Sequence, residues 1–387
     1  MRELQGPPAN GARLLFVVTE DWYFWSHRRD LALEAQKAGY EVWLAARFSG
    51  HQERIEALGI HCMPLPVARG LEALFKDLKS MLLLAWMVWR LKPAIVHAVA
   101  LKPIFLCALA AKLPIGTAFC LAATGLGHLF TAQSLRNRAL RRLIVPPLAR
   151  LAKHRRSVFI VQNQDDLQTL IAAGVGSDRN FVQIRGSGVD IERFVPSPLP
   201  QDAAPLVLMP SRVLKDKGVR EFAAAARLLA AEGNSCRCVL VGGLDPGNPS
   251  ALSRDELLAL CAESNLIWWD HRDDLPTLLG EATLVCLPSY REGLPKALLE
   301  AASCGRPLVA TDVPGCREIC LDGRTGRLVP VHDGGALART IAAMLADLSG
   351  LARMGQVARA LVEQEFSSTV INRQTLDLYA SLRTATR

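Results

Sequence analysis

Residues 284–318, LVCLPSYREGLPKALLEAASCGRPLVATDVPGCRE, constrain the fold more than any other stretch. They open on an apolar run, 284–287, of the length expected for a buried parallel strand, and close on a second, 307–310. The residues between predict a helix. Pro295 suits its first turn, where a missing N–H leaves no bond unmade, and Gly305 is a left-handed stop. A strand, loop, helix, strand unit implies a parallel sheet, with its chemistry in the loop at the carboxyl end of the first strand.

That loop carries Glu292, and Glu300 follows on the helix. A Gly-flanked helix amino end beside them offers backbone N–H groups with no partner inside the helix and a positive dipole end, both suited to a diphosphate. Carboxylates beside such a site would repel the anion, so they are assigned to sugar hydroxyls. The expected ligand is therefore a nucleotide sugar. Taken alone, two glutamates read more readily as solvated surface acids; the glycine and proline context is what changes the reading.

Glu292 and Glu300, with Gly293, Leu294 and Pro295 between them and Gly305-Arg306-Pro307 after, resemble the signature of glycosyltransferase family 4. That family has the GT-B fold, an α/β architecture of two Rossmann-like, doubly wound parallel-sheet domains facing a cleft. The wording PSYREGLPKALLEAASCGRP with ATDVPGCRE is similar in particular to bacterial members that build polyprenyl-diphosphate-linked glycans for O-antigen, capsule or protein glycosylation. The resemblance runs over residues 13–380. It implies that Glu292 contacts the donor sugar, that Glu300 contacts the ribose hydroxyls, and that transfer retains the anomeric configuration. Arg212 and Lys217 match the family's R-x-x-x-x-K-G pattern, and His271 stands in a loop where relatives hold the nucleobase through backbone contacts.

The chain has 387 residues, enough for two domains with separate cores. Half its residues are apolar, yet no run of eighteen uncharged apolar residues presents a spanning helix, and the polar start gives no sign of a signal peptide. Ten cysteines lie mostly in apolar runs without a CxxC pair or zinc-site spacing, which favours buried, reduced thiols in the cytoplasm. Charge is uneven. Between Asp77 and Asp165 there is no acid but thirteen Lys or Arg, more than the chain's whole net charge of +8, so the remainder is net acidic. Eight of them, Arg136, Arg138, Arg141, Arg142, Arg150, Lys153, Arg155 and Arg156, interleave with Leu, Ile and Val. That mixture favours an anionic membrane surface. Nucleic acid competes but lacks a binding motif and aromatics in the patch, and a solvated helical face is the plain alternative.

Along the chain, 13–18 read as the first strand, 19–26 as the loop at its carboxyl end, and 27–39 as a helix. The paired glycines of many family relatives are replaced by Trp22, Tyr23, Phe24 and Trp25, as in the polyprenyl-linked subgroup. His27 is assigned to the acceptor side, with packing as the alternative. The helix at 74–91 is apolar nearly all round over its second half. Its last eleven residues cover only about 16 Å, short of the roughly 30 Å of a bilayer. It reads as buried core, or as a shallow insertion near Trp86 and Trp89. His97 leaves the next strand near Lys102; His97 is a catalytic candidate and Lys102 an acceptor ligand, against a hydrogen-bonded core histidine. Thr124, Gly125 and Gly127 belong to a TGLG loop that lets backbone approach a ligand; followed by the basic amphipathic stretch, it is assigned to a lipid-diphosphate acceptor, and the polyprenyl-linked relatives carry a similar segment. The proline-rich segment 194–205 sets the boundaries at 1–198 for an acceptor-binding domain, 199–368 for a donor-binding domain, and 369–387 for a helix returning to the first.

Arg212 and Lys217 follow the first strand of the second domain, where cations neutralise a leaving diphosphate. The chain has no Asp-x-Asp, so no metal or other cofactor is expected. The function expected is transfer of a hexose or N-acetylhexosamine, with UDP favoured as carrier, to a polyprenyl-diphosphate-linked saccharide. The expected location is peripheral, on the cytoplasmic face of the inner membrane. A nucleotide-sugar epimerase shares the architecture but has no use for the basic stretch; a membrane-bound scaffold leaves the site acids and cations without a task.

Overall fold

The computed structural model describes residues 11–67, 74–126, 129–130, 135–200 and 204–384. They divide into two compact units, Met1–Ser187 with Ile371–Arg387, and Gly188–Val370. The first holds seven strands: β1 Arg13–Glu20, β2 Glu41–Arg47, β3 His61–Pro64, β4 Ile95–Val99, β5 Ala118–Ala123, β6 Ser157–Val161 and β7 Phe181–Gln183. Their order is β3-β2-β1-β4-β5-β6-β7, every pair parallel. Both faces are covered, so the strands read as continuous apolar runs. Leu15 and Val17 of β1 pack with helices Leu74–Leu91, Leu101–Ala110 and Leu135–Ala152. Leu14, Phe16 and Val18 face the other way, onto helices Asp21–His27 and Arg29–Lys37 and onto Ile371, Leu376, Tyr379 and Leu382 of the helix Ser368–Thr384.

The second unit holds β8 Leu206–Pro210, β9 Arg237–Val241, β10 Leu266–Trp269, β11 Leu284–Leu287, β12 Leu308–Thr311 and β13 Gly326–Val329, ordered β10-β9-β8-β11-β12-β13 and again all parallel. The expected unit is realised as β11, the helix Lys296–Ser303 and β12, with Val285 opposite Leu308. Pro295 stands at the cap of that helix rather than inside its first turn, and Gly305 has the left-handed φ of +70° that ends it. Two doubly wound parallel sheets are thus present, as the resemblance implied. In each, the strand order reverses once, between β1 and β4 and between β8 and β11. Ligands of such sheets bind at those reversals, beyond the carboxyl ends of the strands.

Two expectations shift. Residues 19–26 are not a loop: β1 continues to Glu20, and Asp21–His27 is helical. The buried Asp21 carboxylate explains the turn, because it accepts N–H bonds from Trp22 at 2.8 Å, Ser49 at 2.8 Å, Gly50 at 3.1 Å and His51 at 2.8 Å. Burial alone would raise its pKa, but these bonds outweigh it and hold the carboxyl below the usual range. The division between units falls at Ser187 and Gly188, so the boundary expected after 198 lies inside the second unit. Val189 and Phe194 explain why, since both are buried in that unit's core.

All ten cysteines are unpaired. Among the described residues no single helix is long and apolar enough to cross a membrane.

Candidate functional site

In the second unit the reversal between β8 and β11 brings three loops into backbone contact. Gly218, after the Lys215–Lys217 turn, has a φ of +77°, and a Cβ there would lie 2.1 Å from the carbonyl oxygen of Pro288. Only glycine fits. Gly315, after β12, lies so close that a Cβ would sit 2.5 Å from the carbonyl oxygen of Gly293. The Tyr290 N–H donates to the Asp216 carbonyl at 2.9 Å, and its hydroxyl donates to the Glu221 carboxylate at 2.8 Å.

This backbone frame aims the side chains. The Lys217 ammonium meets the Glu292 carboxylate at 2.5 Å, with the acid side chain 10 % exposed and the lysine 22 %. Arg212 pairs with Asp245 at 2.7 Å on the β9 side of the same edge. Glu300 lies 12 % exposed, one helical turn after Lys296 and 3.6 Å from its ammonium. Burial pushes the Glu300 carboxyl above the usual range, with Lys296 and Arg193 pulling it partly back. Neither glutamate is a solvated surface acid. Gly293 and Leu294 line the approach to the helix that Pro295 caps. His271 is exposed, its Nε2 3.4 Å from Asp273, in the loop after β10 beside Gly243.

The raised Glu300 carboxyl makes a prediction. The fold prefers the neutral acid, so as pH rises from the ordinary value of 4.5 the unfolded chain releases this proton first and stability declines. Glu300→Gln should therefore melt above the parent at neutral pH, the gain vanishing as pH falls below the carboxylate range. Thermal unfolding followed from pH 4 to 8 checks this.

In the first unit, the Tyr23 ring stacks on His27 at 4.3 Å and its hydroxyl lies 3.5 Å from Thr124 Oγ1. His27 Nδ1 is 2.6 Å from Ser26 Oγ. Tyr23 thus gathers His27 and Thr124 at the carboxyl edge of this sheet, and Gly125 follows Thr124 in the chain. Gly127 lies outside the described residues.

Two assignments are corrected. His97 is 1 % exposed, its Nδ1 hydrogen-bonded to the Tyr379 hydroxyl and its ring stacked on Phe16. Burial, then the charge of Arg28, hold its pKa well below 6.5. It is a core histidine tying the last helix to β4, not a catalytic group. Lys102 turns away from the sheet edge to the buried Asp77 carboxylate at 2.9 Å, bridging helices Leu101–Ala110 and Leu74–Leu91, which removes it from the acceptor ligands.

Of the eight basic residues, Arg136, Arg138, Arg142, Arg150, Lys153 and Arg155 are exposed and Arg141 half-buried. Arg156 is spent internally, donating to the carbonyls of Gly116 and Leu382. The helix Leu135–Ala152 turns Ile144, Leu148 and Leu151 inward. Sequence reasoning missed Tyr290, Glu221 and Asp245; the tyrosine stood inside the quoted motif, whereas the two acids have no signal beyond following a strand. Among the described residues no three His, Cys, Asp or Glu side chains gather as a metal site.

The family described as Glycosyl transferases group 1 matches residues 204–347, and Glycosyl transferase 4-like matches residues 13–163. The chain is 28% identical over 320 residues to N,N'-diacetylbacillosaminyl-diphospho-undecaprenol alpha-1,3-N-acetylgalactosaminyltransferase of Campylobacter jejuni, covering 79% of this chain and 82% of that one. It is 31% identical over 216 residues to the putative colanic acid biosynthesis glycosyltransferase WcaL of Escherichia coli, a match spanning about half of each: 54% and 53%. Among solved structures, sucrose-phosphate synthase from Thermosynechococcus elongatus superposes with a TM-score of 0.80 at 21% identity, over 97% of this chain and 100% of that one. Anabaena Alr3699/HepE in complex with UDP and glucose superposes with 0.76 at 20%, over 94% and 98%.

Proposed function

Since the chain belongs to the glycosyltransferases of family 4 type, with the GT-B fold and relatives in polysaccharide biosynthesis, we propose that it moves a hexose or N-acetylhexosamine from a UDP-sugar to a polyprenyl-diphosphate-linked saccharide. The observation that carries the donor half is the Lys217–Glu292 pair at the β8–β11 reversal, with Glu300 sheltered one helix turn beyond Lys296. The UDP complexes of HepE and the undecaprenol-linked name of the Campylobacter relative support the choice of donor and acceptor class.

In this reading the diphosphate lies at the amino end of the helix Lys296–Ser303, against the backbone around Gly293 and Leu294. Lys217 and Arg212 neutralise the charge that grows on it as the bond from the anomeric carbon to the phosphate oxygen breaks. Glu292 keeps Lys217 placed and faces the sugar; Glu300 accepts from the ribose hydroxyls. The acceptor hydroxyl attacks from the same face, its oxygen bonding the anomeric carbon and its proton passing to the departing phosphate oxygen, so configuration is retained. Two cations at the leaving group take the part a divalent metal would otherwise fill. The acceptor approaches Tyr23, His27 and Thr124, and the basic helix Leu135–Ala152 rests on anionic lipid at the cytoplasmic face of the inner membrane.

The test is a panel of UDP-, GDP- and dTDP-sugars scored for thermal stabilisation, then for transfer. A UDP-sugar should give the largest shift, and Glu300→Ala should raise the donor KM about tenfold or more, as loss of a hydrogen bond to a charged acceptor does. Equal donor KM in Glu300→Ala would remove the ribose assignment.

A further inference from the structure

The charge pattern of the first unit surrounds a groove that the transfer reaction does not use. Helices Leu74–Leu91, Leu101–Ala110 and Leu135–Ala152 lie side by side over one face of the sheet, and a groove of about 540 Å³ opens among them. This is the volume of a small-molecule site. Met81, Ala108 and Leu109 give it an apolar wall; Lys112, Arg150 and Lys153 line its polar side. None of these three cations forms an ion pair with a described carboxylate, and the chain offers no acid between Asp77 and Asp165 to supply one.

A second observation lies next to the groove. Leu78, Leu82, Trp86 and Trp89 of the helix Leu74–Leu91 are each about half exposed, 58%, 57%, 49% and 55%. Their spacing puts them on one stripe, beside the turn that carries Met81. A core helix has no reason to show two tryptophans to water, whereas a helix lying in a bilayer interface does. The Asp77–Lys102 pair inside the bundle fixes this helix against its neighbour, so the stripe and the groove are held together.

We propose that this groove takes one anionic phospholipid from the bilayer, its phosphate on Lys112, Arg150 and Lys153 and the start of its acyl chain along Met81, Ala108 and Leu109. The proposal rests on the membrane-surface reading above and sharpens it from a diffuse basic face to a site of one-to-one stoichiometry. Charge complementarity selects the occupant: three unpaired cations call for an anion, and the apolar wall calls for one that carries a chain. The exposed stripe beside it sits at the depth where headgroups meet acyl chains.

The experiment uses the full chain and two probes. Short-chain phosphatidylglycerol, titrated below its micellar concentration, should bind saturably at one per chain by native mass spectrometry, and short-chain phosphatidylcholine and inorganic phosphate should not. Lys112→Glu with Arg150→Glu, both exposed and so harmless to folding, should weaken binding by about tenfold or more; Ala108→Phe should do the same by filling the groove. Flotation with phosphatidylglycerol vesicles is the second arm. Arg136→Glu with Arg138→Glu should reduce flotation while leaving short-chain binding intact. Parent-like lipid binding in both groove variants, equal binding of phosphatidylcholine, or equal binding of inorganic phosphate would overturn the groove site while flotation keeps the membrane reading. A parent that fails to float would instead remove the membrane reading.

Discussion

Lys217→Ala should lower kcat by about 10²–10³ at saturating donor, the loss expected when one preorganised charge is taken from a leaving group. The size follows from where the ammonium is held. It stands 2.5 Å from Glu292 in a part-buried pair, so its field is less screened than that of an exposed lysine, and the donor pays little to order it. The glycine at 218 fixes the turn beneath it against Pro288, which keeps the ammonium from drifting. Lys217→Arg should recover only part of the rate, because a planar fork does not reproduce a point charge in a seat shaped for one. Glu292→Gln should cost rate by a shared route, since it releases Lys217 as well as removing the proposed sugar contact. The double variant should therefore fall well short of the sum of the two single losses. Steady-state kinetics on the four proteins of this cycle measure it. Additive losses would separate the two residues, and a kcat within about threefold of the parent in Lys217→Ala would end the leaving-group assignment.

The parallel sheets, and the meeting of Lys217 with Glu292 at one sheet edge, were legible in the sequence because both are written locally. Apolar runs of strand length recur with helices between them, and the glycines that let loops touch stand next to the residues they position, as Gly218 does beside Lys217. What escaped the reading was set by contacts distant in sequence. His97 leaves a central strand on the side where active residues gather, and only the return of residue 379 turns it into a core hydrogen-bond partner. Lys102 was assigned to the acceptor because its counterion, Asp77, is on the preceding helix and the buried pair leaves no mark in the sequence. The helix at Asp21 was hidden for the same reason: its carboxylate serves backbone N–H groups almost thirty positions away, and turn composition carries no trace of that. Tyr23 and Tyr290 were given no task, although each ties a helix to a loop by its hydroxyl, Tyr23 reaching Thr124 and Tyr290 reaching Glu221.

Arg306 stood in the quoted signature with no task, and its surroundings give it the largest expected effect on stability. It is fully buried and no described carboxylate pairs with it. Its guanidinium is met by carbonyls instead: Nε donates to Cys304 at 3.0 Å, Nη1 to Ala282 at 2.9 Å, and Nη2 to the carbonyl and, at 2.9 Å, the hydroxyl of Ser197. Burial lowers its pKa, yet an arginine stays charged. One side chain thereby closes the segment entering the second unit onto the approach to β11 and the end of the helix that carries Glu300. Arg306→Ala leaves a cavity and several buried carbonyls without donors, a loss of about 3–5 kcal/mol. At this domain size that is a fall in melting temperature of about 10 °C. Arg306→Lys should recover little, because a single ammonium cannot reach acceptors spread around a plane. The side chain touches no atom of the proposed donor, so at low temperature, with the fold intact, kcat should stay close to that of the parent while thermal unfolding comes early. A variant that melts like the parent but turns over slowly would reverse this assignment and move Arg306 from the scaffold to the chemistry.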